Sequence, residues 1–434
     1  MSTATTARRD RRHGPAPTPG ALHLRSRPGR IGGLRLHQLA LVEVAAALVL
    51  IGAAAGRAAL VPLAVVAAVL VAAAVLRRRG RPLPEWLACV MAMRRRQREA
   101  ARDARESAVP GGGAAQTAAG GLDPALAPIT ECDPALRTYT FSGRRRERSV
   151  GMVGDGSFMT AVLLVQSRDE PLRTSRPMPL GLLYDALEVD DIRLASVQVV
   201  QHVQPAPAPH LPPQAVAAVS YGPLQAQYGT PAIRVTWVAL KLDPELCPEA
   251  VLARGGGVGG AQRAVLRAAD HLASRLAGAG FEASVLDEEE LTSALATSAG
   301  VNPLATALAG RIGTGQRRTL ERSRAWRCDD RWHTTYWVGR WPQGGGALPT
   351  ARTVTALTAV PAMAGSFALT LSRGTGQTPA LSAYVRITAR DDRQLTSARR
   401  ELEKVARRHK VGLVRLDREQ LPGVLATLPL GGTS

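Results

Sequence analysis

Two unbroken apolar runs stand near the start of the chain, LHQLALVEVAAALVLIGAAA from Leu36 to Ala55 and AALVPLAVVAAVLVAAAVL from Ala58 to Leu76. Each has the ~20 residues a helix needs to cross a hydrocarbon core, and only Gly56 and Arg57 separate them. The pattern predicts a tight two-helix transmembrane hairpin over 36–76. Beyond it, Leu83, Trp86, Leu87, Val90 and Met91 recur at helical spacing and give way to Arg94, Arg95, Arg96 and Arg98. That sequence suits a basic juxtamembrane helix over 77–106 lying on anionic lipid. Residues 107–138 are largely Gly/Ala/Pro-rich without periodicity and read as a flexible linker. The basic stretch 1–35 reads as a disordered tail.

From 139 to 434 the pattern becomes that of a mixed α/β domain. Strands are predicted at Ser157–Gln166, Ile192–Val203, Ala232–Leu242, Phe281–Leu286, Trp332–Arg340, Ser366–Leu371, Leu381–Ala389 and Gly412–Leu416. Helices are predicted near Gly260–Ala277, Asp287–Thr297, Asp391–His409 and Asp417–Thr427. The segment LDEEELTSALAT at 286–297 aligns with LDREQLPGVLAT at 416–427 through Leu286/Leu416, Asp287/Asp417, Leu291/Leu421 and Leu295/Leu425, among others. This points to two related strand-helix-strand-helix halves, 139–310 and 311–434. In each copy the aspartate is placed to cap the following helix, with Glu290 or Gln420 completing a capping box.

Charge adds a topology. The net charge is +20, and the surplus is concentrated before residue 107. Arg25, Arg27, Arg30 and Arg35 precede the first apolar run, and Arg77, Arg78, Arg79 and Arg81 follow the second. The positive-inside rule then puts both termini in the cytoplasm and the chain, as a multi-pass protein, in the inner (cytoplasmic) membrane. A cleaved signal peptide ending at Ala53-Ala54-Ala55 is the rival reading, although a second apolar run would survive the cleavage. Glu43 inside the first run either reaches back to the interface or contacts a partner's membrane helix; Trp86 is the second candidate for such a contact.

Candidate chemistry is sparse. GMVGDGSF at 151–158 has no lysine and leads into a strand pattern, so it reads as a hairpin turn and not as a phosphate loop. GGGVGG at 255–260 reads as a flexible loop. The four cysteines are scattered singly and no histidine pair has metal-ligand spacing, so neither cofactor nor metal is expected. The remaining candidate is RAWRCDDRWHTTYWVGRWP at 324–342, which holds four of the six tryptophans. Asp329-Asp330 with His333 would be the metal-binding motif of a membrane-anchored nucleotide-sugar transferase. Alternatively, the large rings on both faces of 331–341 mark a strand covered on both sides.

GDGSFMTAVLLVQ, PLGLLYDAL, GTPAIRVTWVALKLDPELCPEA and the tryptophan-rich stretch resemble segments of the EccE family of type VII secretion systems, and so does the order of basic tail, apolar hairpin and α/β region. The resemblance implies a non-enzymatic, membrane-anchored core subunit with no catalytic residues to carry over. It implies as partners the EccB and EccD membrane subunits and the motor ATPase EccC, together with the lipid bilayer. Nucleic acid is not expected, because topology already accounts for the N-terminal arginines.

Overall fold

The computed structural model describes residues 30–31, 34–75, 77–78, 81–107, 123–142, 149–167, 177–205, 214–216, 219–220, 232–312, 317–342, 347–374 and 379–432. The tail before residue 30, the linker between 108 and 122 and the proline-rich loop at 206–213 lie outside the described residues.

Twelve strands form one antiparallel sheet: β1 (Arg137–Ser142), β2 (Ser149–Gly154), β3 (Met159–Ser167), β4 (Ser196–Pro205), β5 (Ala232–Leu242), β6 (Phe281–Val285), β7 (Thr319–Glu321), β8 (Trp326–Cys328), β9 (Arg331–Arg340), β10 (Ala364–Arg373), β11 (Pro379–Ala389) and β12 (Gly412–Arg415). Their order is β7-β8-β9-β11-β10-β4-β5-β3-β2-β1, with β6 paired to β3 and β12 to β9. The order is palindromic about the β10/β4 contact. There Val200, fifth residue of β4, faces Ala368, fifth residue of β10. The two halves of the chain thus share one continuous sheet.

The helices that matter here are α1 (Leu36–Ala54), α2 (Arg57–Val75), α3 (Leu83–Ser107), α4 (Gly257–Gly278), α5 (Glu288–Ala299), α6 (Pro303–Ile312), α7 (Ala347–Thr358), α8 (Asp392–Arg408) and α9 (Gln420–Leu425). One face of the sheet is covered by α4 and α8. The buried stripe of α4 is mostly small (Ala261, Ala264, Ala268, Ala269, with Leu272 and Leu276), which lets the helix axis approach the strands closely. Leu395, Ala398, Leu402 and Ala406 do the same for α8. Each fully buried leucine contributes roughly 1.5–3 kcal/mol. The other face is covered by α5, α9 and the C-terminal Leu428 and Leu430. Leu126, Ile129, Cys132 and Leu136, from the stretch read as linker, are buried in that second core.

The predicted transmembrane hairpin is corrected by the structure. Among the described residues no helix is long and apolar enough to cross a membrane. The segment does form two connected helices, α1 and α2, of 19 residues each. The membrane-anchored fold class and the multi-pass assignment that rested on the hairpin do not stand. What the described residues form is an α/β protein built on a large antiparallel sheet.

The repeated capping motif is realised once. Asp287 caps α5 in a full capping box with Glu290, each side chain bonded to the other's backbone N–H. In the second copy Arg418 turns the chain with φ 69° and α9 begins only at Gln420. Gln420 is buried instead, accepting from the Thr335 amide at 2.8 Å and donating to the Leu416 carbonyl at 2.8 Å. Asp417 pairs with Arg415.

The basic helix α3 packs on the domain. Arg96 makes a two-pronged pair with Glu321 on β7, both contacts 2.9 Å. It also donates to the Arg418 carbonyl at 2.8 Å. Gln97 bonds the Glu321 carbonyl, and the Arg418 guanidinium stacks over the Trp86 ring at 4.9 Å.

Candidate functional site

The tryptophan-rich stretch divides into β8, a two-residue turn and β9. Cys328 pairs with Arg331, so Asp329-Asp330 is the tip of a tight hairpin. Asp329 sits at φ 52°, the left-handed region that aspartate and asparagine tolerate better than most side chains. Its carboxylate is consumed by structure. Arg318 binds both oxygens at 2.8 Å, and the Asn302 amide donates at 2.9 Å to one of them. Both side chains of the pair are nearly buried, at 9% and 6% exposure. Asp330 points outward, accepting from the Asn302 side chain at 3.0 Å.

His333 lies on the face of the sheet under α5 and α9 and is fully buried. Nδ1 meets the Thr388 hydroxyl at 3.0 Å, and the ring packs on Trp326 with centroids 5.0 Å apart. Gly300, the left-handed C-cap of α5, passes directly over it. A Cβ there would come within 2.7 Å of His333 Cε1, so only glycine lets helix end and strand meet. The histidine therefore belongs to a packed layer and does not join Asp329 and Asp330 in a shared site. Among the described residues no group of three or more His, Cys, Asp or Glu is placed to hold a metal.

The same layer holds a buried cation that sequence reading passed over. Arg386 on β11 is fully buried; Nη2 donates to the Ser298 carbonyl and to the Ser366 hydroxyl. Ser298 lies in the last turn of α5, where the partial negative charge of the helix end offsets a positive side chain. Burial lowers the Arg386 pKa to about 10. The available signal was its parity: in PALSAYVRITA, Arg386 shares a face with Tyr384 and Thr388, and that face turns inward. Arg318 and Glu321 carried no local signal, because their partners come from distant turns and from α3.

Desolvation governs the titratable groups. It drives His202 down to about 3, with the Arg386 and Arg331 charges acting in the same direction, and lowers His333 likewise. It pushes the thiols of Cys132 and Cys328 up, away from the reactive thiolate. Glu131 is also raised by burial, against the opposing pull of donors from Arg318 and Thr319. None of these groups is poised to attack or to shuttle a proton at neutral pH.

The buried imidazoles set an acid limit. The unfolded chain protonates both near its ordinary value of ~6.5 while the folded chain does not, so stability is complete above that pH and declines as pH falls toward 3. Each histidine contributes a slope of about 1.4 kcal/mol per pH unit in that window. Tryptophan-fluorescence melts should therefore give a lower Tm at about pH 5.5 than at about pH 7.5. A flat Tm over that interval would contradict neutral burial.

Asp155 in GMVGDGSF accepts from the Ser157 amide at 2.8 Å and closes the β2–β3 turn. GGGVGG is not a flexible loop throughout: Gly257–Gly260 open α4, and Arg263 folds back to bond the Arg254 carbonyl at 2.6 Å. Asp190 and Asp191 pair with Arg267 and Arg254, and Asp391 caps α8 through the Gln394 amide. Glu43 is exposed on α1, and Trp86 faces the domain beneath Arg418. The side chains of Arg35, Arg77 and Arg78, and all of Arg79, lie outside the described residues.

No curated protein matches the chain. Residues 230–338, about a quarter of the sequence, match the family model described as EccE, putative type VII ESX secretion system translocon. The matched region runs from β5 through α4, α5 and the β7–β8 hairpin into β9, and includes Arg318, Glu321, Asp329 and His333. On that match the resemblance noted from GTPAIRVTWVALKLDPELCPEA and the tryptophan-rich stretch is borne out: residues 230–338 are similar to the EccE family of type VII secretion components.

Proposed function

We propose that this chain is a non-enzymatic subunit of a type VII secretion translocon, associated with the membrane and acting as a docking platform for the other subunits. The observation that carries this reading is the match to the EccE family over 230–338. The chemistry supports it: in the tryptophan-rich stretch Asp329 and Asp330 are engaged in ion pairs, and Cys328 and His333 are buried in the core. Membrane association is supported by the α1–α2 pair, whose outer surface exposes Val49, Leu50, Ile51, Val61, Val65 and Val69. Apolar surface on this scale marks a contact with lipid or with apolar helices.

The partners are the EccB, EccC and EccD types of subunit, with EccC supplying the energy for export. Tagged chain extracted from its own cells in mild detergent should bring these subunits with it. Recovery of the chain alone, from cells that contain the others and still secrete after its deletion, would overturn the reading.

A further inference from the structure

Helix α3 has two faces about half a turn apart. Trp86, Met93, Arg96 and Gln97 lie toward the domain, which they meet through Arg418 and Glu321. On the opposite side Leu87, Met91, Arg94, Arg98, Arg102 and Arg105 follow at spacings of three or four residues, which lines them up in a single stripe. Leu87 is 47% and Met91 63% exposed, and the four arginines are exposed. Arg95 is set beside the stripe and pairs with Glu99.

We infer that this stripe is a docking surface for the headgroup layer of an anionic bilayer. Its character changes along its length, apolar where α3 leaves the α1–α2 pair and cationic toward its far end. An apolar end suits the acyl boundary, and arginines one or two turns further suit lipid phosphates. The contact of α3 with α2, which exposes Val61, Val65 and Val69, favours lipid over an acidic protein or a nucleic acid, neither of which calls for that apolar end. Because the other face of α3 is fixed to the domain by the buried Arg96–Glu321 pair, contact with lipid also sets the orientation of the sheet relative to the bilayer. The inference rests on the membrane association proposed above.

The test is flotation of the full chain with vesicles of phosphatidylcholine alone and of phosphatidylcholine mixed with phosphatidylglycerol. The chain should prefer the anionic vesicles, and added salt should weaken the preference. Replacing Arg94, Arg98, Arg102 and Arg105 together with glutamine should cut that preference on the order of 100-fold, at a few-fold per arginine. The same four positions changed to lysine should retain it. These side chains are exposed, so circular dichroism and Tm should not move in either variant. A wild-type chain that floats equally with both vesicles overturns this inference and leaves membrane association standing; a chain that floats with neither removes both. Retention of the preference by the glutamine variant, or displacement of the chain from vesicles by polyglutamate or duplex DNA, would also overturn it.

Discussion

An Asp329→Ala chain is expected to lose about 3–5 kcal/mol of stability, the cost of stranding a buried charge when its partner is removed. The stranded group is the Arg318 guanidinium, held on both oxygens of the carboxylate and only 9% exposed. The substitution also takes an acceptor from the Asn302 amide and puts alanine at φ 52°, a conformation it resists more than aspartate does. Asp329→Asn should fall between, since asparagine keeps the shape and tolerates the turn. Urea unfolding followed by tryptophan fluorescence measures the difference. Adding Arg318→Met to Asp329→Asn should recover part of the loss, because replacing both charges removes the stranded cation. Recovery of stability together with secretion would leave no catalytic role for Asp329; recovery of stability without secretion would reopen one.

The second large effect is at Glu321. Its carboxylate binds Arg96 through two contacts of 2.9 Å and also accepts from the Leu421 amide at 3.2 Å. Glu321→Ala should cost about 3 kcal/mol or more, again through an uncompensated buried cation, and should free α3 from the domain. Limited proteolysis within 94–107, where arginines are dense, should accelerate accordingly. A double-mutant cycle with Arg96→Ala should return a coupling of about 1–3 kcal/mol. A coupling near zero would mean that α3 is held by Trp86 and its neighbours alone.

Much of the sheet was legible because its strands alternate cleanly. Ala232–Leu242 is predicted and observed with the same ends, and Phe281–Leu286, Trp332–Arg340 and Gly412–Leu416 differ from the observed strands by a single residue. The covered-strand reading of the tryptophan-rich stretch also holds. Tyr336 and Val338 face one core, while His333 and Thr335 are buried against the other. The three-residue strands β7 and β8 were invisible because they are shorter than the period-two signal needs. Helix α7 was missed because ALPTARTVTALT is rich in threonine and reads as loop. The site failed differently. Asp329-Asp330 stood out as adjacent acids, but an ion pair with a residue eleven positions away leaves no periodic trace. The buried Arg386 was hidden because its acceptors, the Ser298 carbonyl and the Ser366 hydroxyl, lie on distant elements and leave no local trace.

The α3 latch also has a consequence for the order of events during synthesis. Arg96 leaves the ribosome 225 residues before Glu321 and 322 residues before Arg418, its two partners in the lock. At roughly 5–20 residues per second, that is a wait of about 10 to 45 seconds for the first and about 15 to 65 seconds for the second. Throughout that interval α1, α2 and α3 exist without the surface that α3 will finally cover. The apolar pair therefore meets its surroundings first, and the domain closes onto a helix that has already been placed.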